Sequence, residues 1–235
     1  MTSGPTRHPF RWAGVGLVVA ALAGVPFGPA HGEVPPVSSE GHPHAGQGTG
    51  AAPADTLSVP VDSIPALLLV ERRRGDARAA ILGRSRAVHG AEATLWLELY
   101  TVVDEVAPES GSRAVRALLE SAAPQGVEAA AARLTEEAEG IPEEDRPVLL
   151  GFAALLLQPA HPEPAAELWE RILEEAPDSP RVVEAALYLA RHRAGPGADR
   201  DGAGALLEEI IVAFPGHPLA PEARRLLGQI RGAGG

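Results

Sequence analysis

Cysteine, lysine and asparagine are missing from this 235-residue chain. Without cysteine there is no disulfide framework, zinc–thiolate site or cysteine nucleophile. Without lysine there is neither the P-loop cation nor a Schiff-base amine. Without asparagine there is no N-glycosylation acceptor. Aromatic residues are scarce at 4%, and Ala and Leu dominate. All 20 basic residues are arginines, set against 31 acids, for a net charge of −11. That balance argues against a general binder of DNA or RNA, which needs a basic face for phosphate. The length corresponds to one or two domains.

The first thirty residues read as an address. Arg7 and Arg11 precede an uncharged stretch from Trp12 to Ala30. Its apolar run ends where Pro26 and Pro29 break it, and Ala30-His31-Gly32 places small residues ahead of a cleavage after Gly32. A basic start, a short apolar middle and a small-residue exit are the parts of a secretory signal peptide. The run is short for a membrane span, which needs about 20 residues. The reading is a signal peptide over 1–32, with an uncleaved inner-membrane anchor as the alternative. Residues 33–60 are Pro, Gly, Ser, Ala and His without hydrophobic period, the composition of a disordered linker.

From 61 to 231 the chain reads as helices. Apolar residues recur at three and four, as in Leu168, Ile172, Leu173 and Ala176, and again in Leu206, Leu207, Ile210, Ile211 and Phe214. Ser63 is placed as the N-cap of a first helix that ends near Gly75. Residues 168–193 set over 206–231, an offset of 38, give nine identities in 26 positions. They include Leu168/Leu206, Ile172/Ile210, Pro177/Pro215, Pro180/Pro218 and Leu189/Leu227. Helix-ending prolines fall at Pro108, Pro142, Pro177 and Pro215. Leu-small or Leu-Leu pairs fall at Leu82-Gly83, Leu118-Leu119, Leu150-Gly151, Leu189-Ala190 and Leu227-Gly228. The small member is expected to let a second helix approach closely. Four units follow, at 76–109, 111–144, 145–179 and 180–217, with a capping helix over 218–231.

These units resemble the tetratricopeptide repeat, a 34-residue helix–turn–helix with a Leu-Gly pair in helix A and a terminal Pro. Ala165, Trp169 and Ile172 match its helix-B positions in one unit, and Ala203, Leu207 and Ile210 in the next. Ala130 and Leu134 match in a third, and Trp96 and Tyr100 in a fourth. The usual helix-A aromatics are absent, Ile stands where helix B has a small residue, and Gly-Pro-Gly-Ala at 195–198 lengthens one turn. The last two units are also similar to repeats of bacterial periplasmic and outer-membrane assembly proteins. The resemblance implies an all-α fold, a right-handed superhelical array of antiparallel helix pairs. It implies an exported, non-enzymatic scaffold that binds a peptide or helix of another envelope protein. The alternative is a membrane-tethered spacer held by an uncleaved N-terminal anchor.

In such an array the A helices line a concave groove. Its candidate partner-binding residues are Arg146, Glu184, Tyr188, Arg191, His192, Arg224 and Arg225. Arginine pairs bidentately with carboxylates, and tyrosine offers rigid amphipathic area. No catalytic, cofactor or metal residue is assigned. His89, His161, His192 and His217 are scattered, and Gly-x-Ser-x-Gly and His-Glu-x-x-His are absent. Asp199-Arg-Asp201-Gly202 opens like an EF-hand loop, but Ile210 stands where the loop needs its Glu. Glu136, Glu137, Glu139, Glu143, Glu144 and Asp145 are read as one solvated acidic face.

Overall fold

A computed structural model describes residues 59–123, 126–195 and 199–232. The signal-peptide and linker readings fall outside this range, apart from residues 59 and 60. The described residues contain ten α-helices and two 3-10 turns, joined by short turns, and no strand. The helices are α1 (Ile64–Leu68), α2 (Arg74–Ala87), α3 (Gly90–Glu105), α4 (Pro108–Ser121) and α5 (Gly126–Ala138). They continue with α6 (Arg146–Leu157), α7 (Pro162–Glu175), α8 (Val182–Ala194), α9 (Arg200–Ala213) and α10 (Ala220–Gly232). None is long and apolar enough to cross a membrane.

Local chemistry sets several helix ends. Pro108 and Pro162 open α4 and α7, where the missing N–H costs nothing. Asp199 caps α9 by accepting the Gly202 N–H at 2.9 Å. A Cβ on Gly202 would meet that carboxylate, so the Asp-x-x-Gly spacing serves a helix cap. Gly90 opens α3 with φ at +63°, a region that side chains rarely adopt. Pro180 and Pro218 sit in the turns ahead of α8 and α10, outside the helices themselves.

The first helix departs from expectation. It is split into α1, a 3-10 turn at Glu71–Arg73, and α2. Ser63 does not cap it; its hydroxyl donates to the Pro60 carbonyl at 2.7 Å. Gly75 lies inside α2 and ends nothing.

Consecutive helices pack on one another from α2 to α10. One large apolar cluster joins residues of α1 through α8, and a second joins α8, α9 and α10. Helix α8 belongs to both: Ala185 and Leu189 face the first, and Val183, Ala186 and Leu187 face the second. Helix α6 is buried all round, with only Arg146 and Leu155 partly accessible, and it packs on α3, α4, α5 and α7. The helix-B residues of the repeat pattern are core residues, except Tyr100, which is half-buried. Ala165, Trp169, Ile172, Ala203, Leu207 and Ile210 are all buried.

Two expectations about small and acidic residues hold only in part. A Cβ on Gly83 or Gly228 would meet nothing within 4 Å, so neither glycine makes room for a neighbour. Of the three Leu-Gly pairs only Leu150-Gly151 behaves that way, since a Gly151 Cβ would lie 3.3 Å from two Trp169 ring atoms; Ala190 of the Leu189-Ala190 pair is also fully buried. The acidic run is not one solvated face either. Glu136, Glu139, Glu143 and Glu144 are exposed, but Asp145 is buried. Its Oδ2 accepts the Ala107 N–H at 2.9 Å and the Ser110 hydroxyl at 2.7 Å, which fastens the start of α4 to the start of α6.

The packing of α3 also breaks the repeat order. A repeat helix touches its neighbours. Helix α3 packs on α2 and α4 but also crosses to α6, and it sends two carboxylates to the turn before α8.

Candidate binding site

Where α3 crosses the later helices it leaves a cavity of about 290 Å³. Ala91, Thr94, Leu95 and Glu98 form its α3 wall. Their spacing of three, four and seven puts all four on one helix face. The end of α6 supplies Leu155 and Gln158, and α7 supplies Trp169. Glu184, Leu187 and Tyr188 come from α8, and Leu219 closes the site from the turn before α10. The lining is mostly apolar, with carboxylates at one end.

Those carboxylates converge on Arg181, which is only 3% exposed. Its Nη1 lies 2.5 Å from Glu98 Oε1 and 2.7 Å from Glu184 Oε2, and its Nη2 lies 3.0 Å from Glu105 Oε2. One guanidinium thus serves three acids. Burial alone would lower the Arg181 pKa, but Glu184, Glu98 and Glu105 outweigh it and push it well above the ordinary arginine value. Burial raises the Glu184 carboxyl above its usual range; Arg181 opposes the rise, and Glu98 and Glu105 add to it. An acid bonded to an arginine would ordinarily be lowered. Here two further carboxylates and the loss of water reverse the sign.

Aromatic rings form the other side. The Trp169 and Tyr188 centroids are 6.1 Å apart at a tilt of 39°. Tyr188 donates its hydroxyl proton to the Pro162 carbonyl at 3.1 Å, which fixes the ring. Burial and then Glu163 raise the Tyr188 pKa, so the phenol stays protonated. His192 stacks on Tyr188 at 6.2 Å, and its Nε2 lies 3.1 Å from Glu163. The indole N–H of Trp169 is buried and has no hydrogen-bond partner.

Of the seven residues proposed from sequence, Glu184 and Tyr188 line the cavity, and His192 adjoins it through Tyr188. Their spacing of four explains why they share a face of α8. Arg191 and Arg225 both pair with Glu222 on α10. Arg224 is exposed and reaches the Pro215 carbonyl at 3.4 Å. Arg146, at the opposite end of α6 from Gln158, donates to the Ala138 carbonyl at 3.3 Å.

Glu98, Arg181 and Leu219 were not legible as site residues. Glu98 did leave a signal, as a lone acid within the apolar run Leu95-Trp-Leu-Glu-Leu99. So did Arg181, which occupies the repeat position that Leu219 fills 38 residues later. A charge at one unit and an apolar residue at the next marks a position used differently.

Among the described residues no group of His, Asp or Glu is arranged to hold a metal ion. No family model, curated protein or solved structure matches the chain.

Proposed function

We propose that this chain is an exported, non-enzymatic interaction scaffold of the bacterial cell envelope, built of tetratricopeptide-like helix pairs. It binds a peptide or helix segment of another envelope protein. The cavity between α3, α6, α7 and α8 carries the reading. Concave, mostly apolar sites with a few placed polar groups are where segments and ligands bind. Support for the repeat array comes from the nine identities at an offset of 38 and from the spaced prolines. The envelope location rests on the basic, apolar and small-residue sequence of 1–32.

Two measurements test it. N-terminal sequencing of the chain from its source envelope should start at Glu33, and an intact Met1 there would sink the cleaved signal. A photo-crosslinking residue in place of Thr94, on the cavity wall, should trap one discrete partner in that envelope. Ala91→Trp, an exposed change that blocks the cavity, should abolish the adduct. An adduct indifferent to Ala91→Trp would overturn the proposed site.

A further inference from the structure

The cavity carries a charge imbalance that its own residues leave uncancelled. Arg181 brings one positive charge, and Glu98, Glu105 and Glu184 bring three negative ones. All three already bond that guanidinium. Glu98 and Glu184 also line the cavity, and each gives Arg181 one oxygen. A carboxylate held away from water without a full counter-charge is costly, so the site favours a cation from outside.

The walls specify the kind of cation. Trp169 and Tyr188 contribute aromatic rings to the lining, and aromatic rings attract ammonium and guanidinium groups. Leu95, Leu155 and Leu187 offer aliphatic surface, which suits an alkyl stem and not a hydrated metal ion. The volume of about 290 Å³ lies just below the roughly 300–1,000 Å³ typical of ligand pockets. It holds one long side chain rather than a large cofactor.

We infer that the cavity takes an arginine or lysine side chain from a partner's peptide segment. The stem lies between Trp169, Tyr188 and the leucines, and the charged head sits at Glu98 and Glu184. This inference rests on the interaction-scaffold reading and names the chemistry of its partner. Burial is the main cause of the raised Glu184 pKa, and the neighbouring Glu98 and Glu105 add to it.

Calorimetric titration of the full chain tests it with two probe peptides. One is acetyl-Ala-Leu-Arg-Leu-Ala-amide, and the other replaces its arginine with citrulline, which has the same shape and no charge. The arginyl peptide should bind one to one, and the citrulline peptide at least tenfold more weakly. Glu98→Gln and Glu184→Gln should each weaken the arginyl peptide severalfold while circular dichroism shows the helices intact. Thr94→Arg, which places an internal cation on the cavity wall, should abolish binding without removing a carboxylate. Equal binding of the two peptides, binding unaffected by all three variants, or no binding of the arginyl peptide would overturn the inference. A Thr94 crosslink that Ala91→Trp abolishes, combined with any of those results, would leave the scaffold reading standing. A crosslink indifferent to Ala91→Trp would take down both.

Discussion

Asp145 accepts the Ser110 hydroxyl at 2.7 Å across 35 positions of sequence, and Ser110 is only 1% exposed. The same carboxylate oxygen accepts the Ala107 N–H, just ahead of α4. Negative charge there also complements the positive end of the helix dipole. Asp145→Ala strands a buried hydroxyl and an amide, at a cost of about 1–3 kcal/mol. The urea midpoint should fall accordingly, and Asp145→Asn, which keeps an acceptor, should recover part of the loss. An unchanged midpoint for Asp145→Ala would show that the junction of α4 and α6 is held by apolar contact alone.

Arg181→Met leaves Glu98, Glu105 and Glu184 facing one another without a cation. Breaking a buried ion pair from one side typically costs about 3–5 kcal/mol. Chemical denaturation should show a loss of that size. Adding Glu98→Gln and Glu184→Gln to Arg181→Met should restore much of it, because two of the three stranded charges go with the cation and only the more accessible Glu105 stays. A triple variant no better than Arg181→Met would mean that the guanidinium acts mainly by filling space.

The three Leu-Gly pairs should respond differently to alanine. Gly83 and Gly228 sit in helix interiors with open space where a Cβ would go. Gly83→Ala and Gly228→Ala should each raise stability by about 0.4–1 kcal/mol, through helix propensity and a less flexible unfolded chain. Gly151→Ala should gain nothing or lose, because its Cβ would press on the buried Trp169 ring. Thermal melts of the three variants check the ranking, and a gain at Gly151 equal to the others would contradict the packing.

His217 gives the fold a pH dependence. Burial lowers its pKa below the usual 6.5. Its Nδ1 accepts the Leu219 N–H at 3.2 Å, which requires that nitrogen to be unprotonated. The unfolded chain therefore takes up the proton first as pH falls. The stability contributed by neutral His217 is full above 6.5 and is lost as pH drops through the lowered folded value. Denaturation midpoints at pH 7.5 and pH 5 should differ less in His217→Gln, which does not titrate. Equal differences would assign the pH dependence elsewhere.

Helix content was legible because period alone records it. Leu168 and Ile172, or Leu206 and Ile210, declare one buried face without reference to anything distant. Glu184 and Tyr188 were legible as a polar and an aromatic residue sharing a helix face. The meeting of Glu184 with Glu98 was not, because Glu98 is 83 residues from Arg181, the arginine that both acids share, and no local spacing encodes that. The burial of Asp145 among exposed acids was hidden for the same reason, since its partners lie on another helix. The glycine of a Leu-Gly pair proved ambiguous. It marks close packing only where a bulky partner lies opposite, as Trp169 does for Gly151.

The crossing of α3 to the Arg181 turn has an evolutionary consequence. Stacked helix pairs grow and shrink by duplication and deletion, since each added pair needs only a neighbour. Here the carboxylates of α3 and the guanidinium before α8 must meet across α4 to α7. A pair gained or lost in that interval would shift the two ends out of register and strand the charges. On the proposed repeat reading, the number of helix pairs is therefore fixed between residues 105 and 181. On the same reading, the α9–α10 end, where Glu222 pairs with Arg191 and Arg225, is the place where such an array could lengthen.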